Sequence, residues 1–167
     1  MRERGFTRKA VTCSIAITAA PLRVFRALVE PQDVKRWWGA NEAVIAARKG
    51  GAWSLGWHAY GQDNFYATTG FIQKIAYPRG LQLTGLMYFR PDMKPLGPMK
   101  LSFHLKKTGQ GTVLTVRQSG YGKGRHWDWY SRALHDGWEE SLWSLKRYIE
   151  RKRIRQTNLR TTPARKK

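Results

Sequence analysis

The chain lacks most of what the common function classes require. It has a single cysteine, Cys13, so it cannot form an internal disulfide. A reducing, cytoplasmic setting is therefore expected rather than that of a small disulfide-stapled secreted scaffold. No apolar run approaches the roughly 18 residues of a membrane-spanning helix. The basic N-terminus is not followed by an uninterrupted apolar segment, so no signal peptide is expected. The four histidines, His58, His104, His126 and His135, form no HxH or HExxH pattern. With no paired cysteines either, neither a metal site nor a cofactor is expected. GxSxG, P-loop and GxGxxG patterns are also absent. Cys13 lies in an alternating strand with no activating base in view and reads as a small buried hydrophobe.

Acidic residues are scarce: 11 Asp and Glu stand against 31 Lys and Arg, for a net charge of +20. Twelve of those net charges lie in the first nine and last twenty-two residues, leaving residues 10–145 at +8. Such ends attract nucleic acid without sequence preference, in a strongly salt-dependent way, or simply keep a protein soluble.

What is abundant is aromatic. Eight tryptophans among 167 residues are costly to expose and point to a large core or a lined cavity. The chain is organised around residues 131–152, which lack proline and hold one glycine, Gly137. Leu134, Trp138, Leu142, Leu145 and Ile149 recur at helical spacing and form one apolar face. Gly137 costs about 1 kcal/mol of helix propensity, and a close approach to a sheet beside Trp138 would offset that. The helix is expected to start near Asp128 or Ser131.

The rest reads mostly as strand. Residues 10–19 alternate around Val11, Cys13, Ile15 and Ile17. Pro21 opens a short helix over 21–28, Pro31 ends it, and residues 32–36 make a further turn. Strands are expected over 40–49, 52–60, 65–76 with a bulge near Gly70, 81–89, 99–107 and 112–118. Residues 90–98 carry three prolines and read as a loop. The domain plan is a basic lead-in at 1–9, one domain over 10–152 and a basic flexible tail over 153–167. The fold class is α+β, with a curved antiparallel sheet around a long C-terminal helix and two short helices after the first strand. The space between sheet and helix is the natural ligand cavity.

Several local motifs, in this order, resemble the START-like (SRPBCC), or helix-grip, superfamily. Within it they resemble the family related to the C-terminal domain of the activator of the Hsp90 ATPase. The residues that carry the likeness are Ile15-Ala16-Ile17-Thr18 followed by Pro21 and Val24-Phe25, then Trp37-Trp38-Gly39 and Gly50-Gly51-Ala52-Trp53. Gly70-Phe71-Ile72, Gly111–Val116 and Gly137-Trp138 complete it. The likeness covers about residues 10–151. Ala46-Ala47-Arg48-Lys49 departs from the pattern, which usually has an aspartate before the Gly-Gly pair. The resemblance implies a helix-grip fold, and members range over ligand binders, co-chaperone domains and some enzymes, so function needs its own argument.

Trp53, Trp57, Phe71, Phe103, Trp138 and Leu142 are the candidate cavity walls. Tyr66, His104, Arg117 and Tyr130 are the candidate polar fixings. No catalytic residue is assigned. The expected function is non-enzymatic binding of a small hydrophobic or aromatic molecule. The alternatives are a cyclase, dehydratase or hydrolase using the same cavity, and a chaperone-related protein-interaction module. Partners are thus a small apolar molecule, a chaperone or other protein, and non-specific nucleic acid at the basic tail.

Overall fold

The structure, a computed structural model, describes residues 10–58 and 65–160, with side chains as far as residue 151. The lead-in at 1–9 and the last seven residues of the tail lie outside this range. Strand β1 (Val11–Ile17) is followed by helices α1 (Pro21–Val29) and α2 (Pro31–Trp38), each with a proline in its first turn. Strands β2 (Glu42–Ile45), β3 (Ala52–His58), β4 (Phe65–Ala76), β5 (Gly80–Arg90), β6 (Met93–Thr108) and β7 (Gly111–Ser119) come next, then helix α3 (Arg125–Arg160). The strands form one antiparallel sheet in the order β1-β7-β6-β5-β4-β3-β2. Sequential neighbours pair throughout except for β1, which crosses over to β7.

This is the curved sheet, long helix and pair of short helices expected from the sequence. Alternation decides which side chains face α3. On β7, Thr112, Leu114, Val116 and Gln118 are buried, whereas Arg117 is exposed on the outer face. On β6, Leu101, Phe103 and Leu105 are buried and His104 is exposed. The stripe of α3 completes the core, with Trp138, Leu142, Leu145 and Ile149 buried; each such side chain contributes about 1.5–3 kcal/mol when fully removed from water. Cys13 is buried in the same core, and burial first, then the nearby Glu139 carboxylate, push its thiol pKa up.

Residues 93–98 are not the expected loop. β5 and β6 are joined by a tight turn at Pro91-Asp92, and β6 carries both Pro95 and Pro98. These prolines fit because this stretch pairs only with β5; β7 joins β6 from Lys100 onward. One side of the stretch is thus a sheet edge, where a missing N–H costs no ladder bond. The bulge near Gly70 is present as a register shift between Thr69 and Phe71. Helix α3 begins at Arg125, three to six residues ahead of the expected start, with Asp128 in its first turn complementing the helix dipole. Its backbone runs on to Arg160, eight residues past 152.

The helix backbone approaches β1 closely and also meets α1 and α2, but stands off from β3, β4 and β5. Sheet and helix thus form a wedge that is tight at β1 and open towards β3. Large side chains occupy the open end without filling it.

Candidate functional site

The open end of the wedge is a cavity of about 420 Å³. Its sheet wall comes from β3 and β4, where Trp57 pairs with Tyr66, Leu55 with Thr68 and Trp53 with Gly70. Leu86 and Tyr88 of β5, Leu101 of β6 and Gln118 of β7 extend this wall. The helix wall is Tyr130, Leu134, Gly137, Trp138, Glu140, Ser141 and Ser144 of α3. Trp37 and Trp38 close one end.

Trp38 is the hub of the rings. It stacks on Trp37 at 4.7 Å and lies 5.1 Å from Trp138, 5.8 Å from Trp53 and 5.8 Å from Trp57, centroid to centroid. Its position follows from the end of α2, where Gly39 takes a left-handed conformation (φ 68°) directly after the Trp pair, one that L side chains rarely adopt. Hydrogen bonds fix the rings: Trp37 Nε1 donates to the Ala27 carbonyl (2.7 Å) and Trp57 Nε1 to the Trp38 carbonyl (3.2 Å). Tyr66 lies flat on Trp57 at 5.2 Å.

The polar centre of the wall is Gln118, only 2% exposed. Its Oε1 accepts from Trp138 Nε1 (3.0 Å), and its Nε2 donates to the Tyr130 hydroxyl (3.1 Å). Indole N–H is donor only, which sets the amide orientation. The Tyr121 hydroxyl donates to the Gln118 carbonyl (2.8 Å), so the side chain of Gln118 ties β7 to α3 and its backbone holds the segment that connects them. Burial pushes the Tyr66 and Tyr88 phenols up and pushes Tyr130 strongly up, with the Gln118 hydrogen bond opposing in the last case. All three are neutral at physiological pH.

Of the candidate residues, Trp53, Trp57, Tyr66, Tyr130 and Trp138 line this cavity. Phe103 and Leu142 are buried behind the wall, Phe103 edge-on to Trp138 at 5.8 Å, and serve the core. Phe71, His104 and Arg117 lie on the outer face. Phe71 pairs with Ala52, is 57% exposed and leaves the inward position to its neighbour Ile72. His104 and Arg117 each sit between two inward residues, so the pleat turns them outward. Sequence reasoning did not single out Trp37, Trp38, Tyr88 or Gln118 as lining residues. For Gln118 the signal was its place in the Leu114–Val116 alternation.

Gly137 does not pack closely against the sheet. A Cβ added there would meet no atom within 4 Å, so the glycine borders open cavity. Trp53 Nε1 is buried with no hydrogen-bond partner among the described residues. Outside the cavity, His135, Asp136 and Glu139 lie within 4.8 Å of one another, all on the exposed surface of α3.

Over residues 18–150 the chain matches the family described as Activator of Hsp90 ATPase homolog 1-like protein. Among solved structures, it superposes on protein CV1439 of Chromobacterium violaceum with a TM-score of 0.68 at 20% identity, covering 84% of this chain and 97% of that one. An uncharacterised protein of Rhizobium leguminosarum gives 0.72 at 16% identity, covering 88% and 97%. The Aha1 dimer of Colwellia psychrerythraea gives 0.64 at 18% identity, covering 85% and 96%. None of the curated proteins matches. At these identities the structures speak for the fold alone, whereas the family match spans most of the chain. The chain belongs to the Activator of Hsp90 ATPase homolog 1-like family, within the SRPBCC, helix-grip superfamily.

Proposed function

We propose that this protein binds a small aromatic or otherwise apolar molecule in the wedge between sheet and α3, without catalysing its conversion. The observation that carries this reading is the cavity of about 420 Å³ walled by five tryptophans and three tyrosines. That volume falls within the range of small-molecule sites, and an apolar wall with few convergent polar groups is their usual composition. The polar groups also argue against catalysis. Gln118 is engaged at both ends of its amide, the phenols are neutral, and among the described residues no histidine lines the space. Glu140, the one carboxylate that lines the space among the described residues, is exposed. A general base held near neutral pKa within reach of a substrate is what hydrolysis or dehydration would need.

The family's description and one surface feature favour a second reading, docking to a chaperone. Trp143 on α3 is 56% exposed, and a tryptophan buried against a partner removes a large apolar area from water. The ligand reading is tested by titrating the protein with naphthalene and following tryptophan fluorescence. Saturable quenching of one molecule per chain is expected. A linear, non-saturating response up to the solubility limit, with saturable Hsp90 binding lost in W143A, would replace it with the docking reading.

A further inference from the structure

We propose that the cavity selects an organic cation, a tertiary or quaternary ammonium carried on an aromatic or alkyl body. This rests on the reading of the cavity as a ligand site and names the class of ligand.

The first observation is the distribution of charge. The chain carries 31 Lys and Arg, yet among the described residues none lines the cavity, and no histidine does either. Among the described residues, the only formally charged one lining the cavity is Glu140. An anionic ligand such as a fatty acid would bury its carboxylate with no counter-charge beside an existing negative one, at a cost of several kcal/mol.

The second observation is Glu140 itself. It forms no ion pair among the described residues. Its neighbours one turn away on α3 are Asp136 and Gly137 before it and Trp143 and Ser144 after it, so no basic residue stands at i±3 or i±4. Asp136 at i−4 is a like charge, which is mildly destabilising on a helix. A cation at the cavity would relieve this arrangement.

The third observation is the set of rings. Trp38 meets Trp57 at an interplanar angle of 74° and Trp138 at 47°, and Tyr66 meets Tyr88 at 50°. The walls are therefore not parallel, and aromatic faces are presented from several directions. A ring face attracts a cation within about 6 Å, tryptophan most strongly, and desolvated cases contribute about 2 kcal/mol or more. Tyr66 and Tyr88 are neutral phenols, which burial favours further, so the rings act through their quadrupoles. The overall +20 does not cancel these terms: twelve of the net charges lie in the terminal segments, and exposed charge is screened over about 8 Å at physiological ionic strength.

The test compares three probes of one shape class by titration calorimetry: benzyltrimethylammonium, its neutral isostere neopentylbenzene, and phenylacetate. Benzyltrimethylammonium is expected to bind about tenfold tighter than neopentylbenzene, with phenylacetate weakest. E140Q should cost the cation about two- to fivefold and narrow its lead over the neutral probe. Glu140 is exposed, so this variant folds. Neopentylbenzene or phenylacetate binding as tightly as the cation, or an unchanged lead in E140Q, overturns the proposal while leaving the cavity a ligand site. If none of the three binds at millimolar concentration, the ligand reading falls with it.

Discussion

Gly137 offers the sharpest test of the wedge geometry. A glycine in a helix interior is destabilising by about 1 kcal/mol relative to alanine, and Gly137 lies well inside α3. Two structural accounts make opposite predictions for Gly137→Ala. If the backbone pressed against the sheet, a methyl group would clash and the variant would lose stability. Here a Cβ meets nothing within 4 Å, so the propensity gain should appear nearly undiminished. The expected stabilisation is about 1 kcal/mol, raising Tm by roughly 2–4 °C for a chain of this size. Urea and thermal denaturation followed by circular dichroism measure it, and an unchanged m-value would confirm that the surface exposed on unfolding is the same in both proteins. A loss of stability in Gly137→Ala would refute the open geometry at this position. The larger Gly137→Leu should occupy the cavity, and it serves as the blocked variant below.

Other expectations follow from the same wall. Gln118→Leu leaves the Trp138 indole N–H and the Tyr130 hydroxyl buried without their partner, so a loss of about 1–3 kcal/mol per orphaned group is expected in chemical denaturation. At alkaline pH the buried phenols control stability. Burial pushes Tyr121 up to about 12 and Tyr130 higher still, from an ordinary value of 10.0. Below pH 10 both are protonated in folded and unfolded chains, and their contribution is intact. As pH rises from 10 towards 12 the unfolded chain loses these protons first, so stability should fall. The tyrosinate absorbance due to Tyr121 and Tyr130, isolated by difference against Y121F and Y130F, should rise together with unfolding, and its rise in the folded state would contradict the burial of these two side chains. His104→Ala and Arg117→Ala lie on the outer face and should change stability by no more than about 0.5 kcal/mol. Either one abolishing ligand binding would contradict the assignment of faces.

Much of the fold was legible because its patterns are local. The 4-4-3-4 spacing of Leu134, Trp138, Leu142, Leu145 and Ile149 specified the buried face of α3, and residues 65–76 read as the strand that β4 forms. The stretch 90–98 misled because proline normally breaks a ladder. Its tolerance depends on β7 ending at Ser119, a fact about a partner strand and not about the segment itself. The site was legible in part for a similar reason. Tyr66 and Phe71 are five residues apart on one strand, so they cannot share a face without a shift of parity, and the bulge at Gly70 shifts pairing with β5 without turning Phe71 inward. His104 beside Phe103 and Arg117 beside Val116 fail by the same alternation. Gln118 was the residue that parity favoured, but its polar type argued against burial until Trp138 and Tyr130 were placed beside it. The cavity itself depends on how far α3 stands from β3 and β4, a distance that no spacing within either element encodes.

The central claim, a ligand held between sheet and helix, is tested most directly by native mass spectrometry of the protein as purified and after incubation with millimolar aromatic fragments, followed by denaturation and small-molecule analysis. The prediction is one small apolar or aromatic molecule per chain, released on denaturation and absent from Gly137→Leu. Bare protein mass under both conditions, or equal retention by wild type and Gly137→Leu, would contradict it.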